Sequence, residues 1–345
     1  VPAKPLGGDR MADCGLVLPG GAPKRPKKLT AKSWVLSDLD SGEVLAARDP
    51  HGRQRPASLI KVLLALVVLD ELRPEQIVIA NKRDANQECT CIGIVRGGEY
   101  AVDDMFTGLL MSSGNDVAHA LGSALGGIDE ALRKMNAKAK ELGALDTRAA
   151  TTSGLDGPGM SSSSYDMSLI FRHAMRQPAF AKAVRTQQMR FEIKKNKPAI
   201  TLYNDNQLLR DYRGFLGGKT GFTDDSRHTY VGAAERNGRR LAVVMLRAEQ
   251  RPIRVSEQAG KLLDYGFALA KRGTAPVGRI VEPKQAPPEQ HQVGPLEGFA
   301  WAEGAETERA VTPEDAGDTS RDVVVLIILG AALVIAIVLR RKTRR

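Results

Sequence analysis

Ser58 stands three residues before Lys61, in Ala57-Ser58-Leu59-Ile60-Lys61. On a helix, residues three apart share a face, so the lysine amine lies one turn above the serine hydroxyl. Serine is a weak nucleophile and needs a base within hydrogen-bond reach. A desolvated lysine has a lowered pKa and can be that base. A helix N-terminus also favours negative charge developing near Ser58. Two further groups follow. In Ser113-Gly114-Asn115, a hydroxyl can relay a proton and an amide can hold a substrate amide. In Lys219-Thr220-Gly221, an ammonium and a hydroxyl can bind a carboxylate, and the glycine lets a ligand approach a strand edge. Taken singly, each triplet is weak, since a capping serine before a snorkelling lysine is common. Lys61 lies inside the apolar run Leu59–Leu72, where an idle ammonium is expensive.

The elements that must position these groups are legible in outline. Trp34–Asp38 and Glu43–Ala47 flank the turn Asp40-Ser41-Gly42 and read as a hairpin. Leu59–Leu72 is apolar on nearly every face, the mark of a buried helix. Residues 103–124 and 129–142 are helical by periodicity and are separated by Gly126-Gly127. A glycine at 114 weakens the first of them, as a functional loop between two helices would. Gly154–Ser164 reads as a Gly/Ser-rich loop and Tyr165–Met175 as a helix. Lys219 lies on a strand before a second hairpin, Thr229–Ala234 and Leu241–Leu246, turned at Arg236-Asn237-Gly238. Ser256–Leu269 is a closing helix. Strands at both ends with helices between them predict an α+β fold, an antiparallel sheet flanked by helices.

Composition narrows the classes. The chain has 345 residues, with 42% hydrophobic and 26% charged, enough for a substantial core. Its net charge of +10 owes much to Lys24-Arg25-Pro26-Lys27-Lys28 and to Arg340–Arg345. Both lie outside the expected core and read as solvated tails, with no nucleic-acid motif between them. Cys14, Cys89 and Cys91 make no disulfide scaffold, and no Cys/His set has zinc spacing, so no metal or cofactor is expected. In an oxidising compartment a bridge from Cys14 to Cys89 or Cys91 would staple the leader to the domain, with three free thiols as the alternative.

With its three triplets in this order, the chain resembles the penicillin-recognising serine hydrolases, which carry S-x-x-K, S-x-N and K-T-G. Flanking residues sharpen the likeness to the low-molecular-mass D-Ala-D-Ala carboxypeptidases of the S11 family, in an actinobacterial form. They include Ser153-Gly154-Leu155-Asp156, Gly218-Lys219-Thr220-Gly221-Phe222-Thr223 and Leu262-Leu263-Asp264-Tyr265-Gly266-Phe267. The resemblance covers residues 30–270 and implies the β-lactamase/DD-peptidase fold. It implies Ser58 as nucleophile, Lys61 as base and Ser113 as proton relay. Asn115 would bind the donor peptide, Lys219 and Thr220 its terminal carboxylate, and Gly221 and Phe222 would complete the substrate-binding strand. The backbone N–H groups of Ser58 and Phe222 would form the oxyanion hole. The implied substrate is a peptidoglycan stem peptide ending in D-Ala-D-Ala, and β-lactams would acylate Ser58.

Departures and alternatives are visible too. Relatives often carry arginine in an N-R-N segment, where this chain has Asn204-Asp205-Asn206. An acid cannot hold a carboxylate, so Arg251 or Arg254 becomes a substitute. A class A β-lactamase would need a glutamate-activated water, and the 154–164 loop offers only Asp156. Transpeptidases usually carry large N-terminal regions, which this sequence does not show. An inactive cell-wall-binding protein would not need all of these residues intact.

The expected organisation is an irregular leader over 1–29, a catalytic domain over 30–272 and a flexible linker over 273–322. A transmembrane helix over 323–339 and a basic cytoplasmic tail over 340–345 follow. Val323–Leu339 has no charged side chain, and its 17 residues would span about 25 Å as a helix. The basic stop behind it places the tail in the cytoplasm and the catalytic domain outside the membrane.

Overall fold

The computed structural model describes residues 5–88, 90–193 and 198–281. In chain order, β1 (Leu16–Val17), β2 (Ser33–Asp38) and β3 (Glu43–Arg48) come first. Asp38 closes the β2–β3 turn by accepting from the backbone N–H groups of Asp40 and Ser41, both at 2.9 Å. A 3-10 turn, Ala57–Ile60, leads into α1 (Lys61–Glu71). Then come β4 (Ile77–Ile79), α2 (Lys82–Ala85), β5 (Glu99–Ala101), α3 (Val102–Ser112), α4 (Asn115–Ala124) and α5 (Ile128–Glu141). Beyond these lie α6 (Ser164–Ala174), α7 (Pro178–Arg185), β6 (Gln188–Phe191), β7 (Ile200–Tyr203) and α8 (Leu208–Asp211). The chain closes with β8 (Phe215–Thr223), β9 (Arg227–Arg236), β10 (Arg239–Ala248), α9 (Val255–Lys271) and β11 (Gly278–Arg279).

One antiparallel sheet has the order β1-β3-β2-β10-β9-β8, with β11 also paired to β3. Period-two alternation gives it two apolar faces. Trp34, Leu36, Leu241, Val243 and Met245 face α9 through Leu262 and Leu263. Val35, Ala242, Val244 and Leu246 face the helical layer, where α1 is buried from Lys61 to Val68. This is the expected antiparallel sheet flanked by helices. It sets β8, the end strand bearing Lys219, against the turn bearing Ser58.

The chain ends of the domain are more ordered than expected. Part of the predicted leader joins the sheet, with Leu16 opposite Arg48 and Val17 opposite Ala47. Past residue 272, β11 pairs with β3, and Arg279 N–H donates to Gly7 O at 2.9 Å. The Cys14 staple does not form. Cys14 is free and exposed, whereas Cys91 is disulfide-bonded, so three free thiols are excluded as well. The leader is held instead by β1 and by His51 Nε2, 3.1 Å from Leu6 O. Cys89, the linker beyond 281, the predicted membrane helix and the basic tail lie outside the described residues. No described helix is long and apolar enough to cross a membrane.

Candidate active site

Ser58 sits on the 3-10 turn rather than on the α-helix itself, and Lys61 is the first residue of α1. The turn is held tightly. Ala57 has φ 49°, a left-handed conformation that is strained for a residue with a Cβ. Its carbonyl packs so closely on Gly154 that a Cβ there would lie 2.0 Å away. Thr229 Oγ1 donates to Pro56 O at 2.9 Å, tying the turn to β9. Ser58 Oγ lies 3.5 Å from Ser153 O, so the predicted Ser153-Gly154 loop forms one wall beside the nucleophile.

Lys61 is fully buried. Its Nζ donates to Ser58 Oγ at 2.8 Å, Asn115 Oδ1 at 2.7 Å and Ser113 Oγ at 3.4 Å. Burial and then the Lys219 ammonium hold its amine well below the ordinary lysine value of 10.5, opposed by Asp205 and Asp116. This is the setting in which an amine becomes a base at moderate pH.

Ser113 ends α3 in a left-handed conformation, φ 62°, which turns the chain between two helices and brings both Ser113 and Asn115 toward Lys61. Asn115 is clamped on three sides. Its Nδ2 donates to Glu88 O at 2.7 Å and its backbone N–H to Thr90 O at 2.7 Å, while Oδ1 faces Lys61. The clamping loop hangs on Asp116, whose carboxylate accepts from the backbone N–H groups of Ile92, Gly93 and Ile94 at 2.7–3.1 Å.

Lys219, on β8, is fully buried, and its Nζ donates to Thr220 O at 2.8 Å. Burial lowers its pKa, and Asp205 opposes the shift. Gly221 pairs with Thr229 and crosses directly over the nucleophile turn. A Cβ on Gly221 would lie 2.4 Å from Thr229 Oγ1 and 2.9 Å from Ser58 N. Phe222 is half-exposed and packs on His228, ring centroids 4.5 Å apart.

These groups meet at a cavity of about 600 Å³. Ser58, Ser113, Thr220, Gly221 and Phe222 line it, while Lys61, Asn115 and Lys219 stand behind its wall. The sequence did not mark Thr90 or His228 as wall residues. The register of β8 on β9, with Phe222 opposite His228, is the signal that places His228 there. Asp205 also lines the cavity, as do Arg251 and Arg254. Asp156 does not. It pairs with Arg55 at 2.9 Å, which leaves the 154–164 loop without an acid poised over Ser58.

One cluster elsewhere has metal-like donors: His51, Asp146 and Asp166, all buried. Its atoms are already engaged. His51 Nδ1 lies 2.7 Å from Asp146 Oδ2, and Asp166 accepts from Asp146 N and Thr147 Oγ1. Burial opposes a charge on His51, but its hydrogen bonds to Asp146 and to Leu6 O, with the nearby carboxylates, raise its pKa.

Comparison with known proteins converges on the same chemistry. The sequence model of the peptidase S11 family, D-alanyl-D-alanine carboxypeptidase, matches residues 21–250. The D-alanyl-D-alanine carboxypeptidase DacB2 of Mycobacterium tuberculosis is 47% identical over 244 residues, 69% of this chain and 83% of that protein. DacF of Bacillus subtilis is 30% identical, and the match spans 64% of its length. Among solved structures, a D-alanyl-D-alanine carboxypeptidase from M. tuberculosis H37Rv superposes with a TM-score of 0.72 at 42% identity, covering 77% of this chain and 99% of that one. A Streptomyces K15 DD-transpeptidase variant does so at 0.67 and 25% identity, covering 70% and 100%. A buried lysine on a serine, a fold shared with these enzymes and a family match over most of the domain agree: the chain belongs to the peptidase S11 family and is a serine-type D-alanyl-D-alanine carboxypeptidase.

Proposed function

We propose that Ser58 Oγ attacks the carbonyl carbon between the two D-alanines of a peptidoglycan stem peptide and passes its proton to Lys61 Nζ. The oxyanion is held by the backbone N–H groups of Ser58 and Phe222. Collapse breaks the C–N bond, and Ser113 delivers the proton from Lys61 to the leaving D-alanine. Water then hydrolyses the Ser58 ester. Asn115 orients the donor peptide and the base. Thr220, with the charge of the buried Lys219 behind it and Arg251 and Arg254 beside it on the cavity wall, holds the terminal carboxylate. β-Lactams enter by the same acylation. The observation that carries this reading is the fully buried Lys61 Nζ, 2.8 Å from Ser58 Oγ.

Gly221→Ala tests the oxyanion hole. Its methyl would press on Ser58 N and Thr229, so the hole has to distort. Acylation by labelled penicillin should slow by about 10²–10³-fold, the range for losing one such donor. Acylation within threefold of wild type would remove the Ser58 and Phe222 amides from that role.

We further propose that Val323–Leu339 anchors the enzyme, with the basic tail in the cytoplasm and the catalytic domain outside. The apolar run without a charge and the cations behind it support this. Because β11 holds the chain to the sheet as far as Arg279, the tether is the stretch 282–320, 39 residues, which would reach about 35 Å as a flexible chain. Protease added to intact cells should remove the catalytic domain and leave a small membrane fragment. Protection until the membrane is breached would contradict the topology.

A further inference from the structure

The acid in Asn204-Asp205-Asn206 is built into the carboxylate corner of the site. Thr220 Oγ1 donates to Asp205 Oδ2 at 2.6 Å. The flanking asparagines fix the segment. Asn204 Nδ2 donates to Thr186 O at 2.9 Å, and Asn206 Oδ1 accepts from Tyr230 O–H at 2.7 Å. Asp205 N–H donates to Met111 O at 3.1 Å, which ties it to the end of α3 beside Ser113. Asp205 lines the cavity together with Ser58 and Thr220, and its field reaches both buried lysines.

We propose that Asp205 is a specificity-determining residue: in the resting enzyme its carboxylate occupies the place of the substrate's terminal carboxylate on Thr220. This rests on reading Lys219 and Thr220 as the carboxylate holders. A hydroxyl has one proton to donate, so Thr220 cannot serve both carboxylates at once. An incoming carboxylate must displace Asp205 and lie against a like charge, which costs affinity in a partly desolvated site. A terminal carboxamide escapes the repulsion and offers Asp205 an N–H. Asp205 therefore weakens the corner's hold on a free carboxylate and narrows its preference for one over an amide-capped end.

The test is Asp205→Asn, which keeps the oxygen that accepts from Thr220 and removes the charge. Steady-state kinetics are measured on an N-acyl-L-Lys-D-Ala-D-Ala peptide and on its C-terminal carboxamide. KM for the acid should fall about tenfold, with kcat within about threefold, and acid-over-amide preference should rise by the same factor. A KM that stays level or rises would mean that Asp205 serves to keep Lys219 charged, and it overturns the proposal. So does a parallel change for acid and amide. Where neither protein cleaves the amide, KM for the acid alone decides. If the wild type released neither D-alanine from the acid nor D-alaninamide from the amide, that would instead strike at the reading of the site.

Discussion

Ser58→Ala should lower D-alanine release from a D-Ala-D-Ala peptide by a factor on the order of 10⁴ or more, with no covalent penicillin adduct. The residual rate belongs to whatever the remaining machinery does for a water molecule. The fold should survive. Ser58 Oγ makes only a 3.5 Å contact to Ser153 O and accepts from Lys61, which keeps Asn115 Oδ1 as a partner. Near-ultraviolet circular dichroism and an unchanged melting temperature would verify that the loss is chemical. A folded Ser58→Ala protein that still labels would show that the nucleophile lies elsewhere.

Lys61→Met should cost on the order of 10²- to 10⁴-fold in acylation, the usual worth of a positioned general base. Methionine fills a similar volume without an amine. Burying a polar amine is itself costly, so its removal partly offsets the loss of the donor to Asn115 Oδ1, a loss of about 1–3 kcal/mol. The protein should therefore stay folded. The pH profile separates this role from packing. Lys61 must be neutral to act as a base, so activity rises as pH increases through its lowered pKa, well below 10.5. Lys219 must be charged to support a carboxylate, and burial lowers its pKa as well, so activity falls again as it deprotonates. The wild-type kcat/KM profile should be bell-shaped, with both limbs below the ordinary lysine titration. In Lys61→Met the acid limb should vanish with most of the rate. Wild-type activity that rises only near 10.5 would contradict Lys61 as the base.

The sequence made the chemistry more legible than its supports. Ser58, Lys61, Ser113, Asn115, Lys219 and Thr220 are side chains in recognisable triplets, and the apolar run around Lys61 announced its burial. Both hairpins and the long helices carried clear periodicity. What stayed hidden acts through the backbone or through distant pairing. The carbonyls of Ser153, Glu88 and Thr90 shape the site, and a carbonyl leaves no signature in residue type. The left-handed Ala57 has no glycine to advertise it. β1 and β11 are two residues each, too short for any period, and exist only because β3 is there to pair with. Asp205 was visible as a departure, but its bond to Thr220 required the fold, since 15 residues and α8 separate them. The Cys14 bridge failed for a similar reason. Cys14 stays free and exposed, and the leader is held instead by a short strand and the contact of His51 with Leu6, neither of which residue type announces.

A buried amine makes Ser58 the acyl carrier, so a penicillin's acyl group belongs on that hydroxyl alone. Wild-type protein is treated with penicillin, digested, and mapped by mass spectrometry. One adduct is expected, on the peptide containing Ser58, with none in Ser58→Ala. An adduct on Ser113 or any other residue, or a folded wild-type protein that takes none, would contradict it.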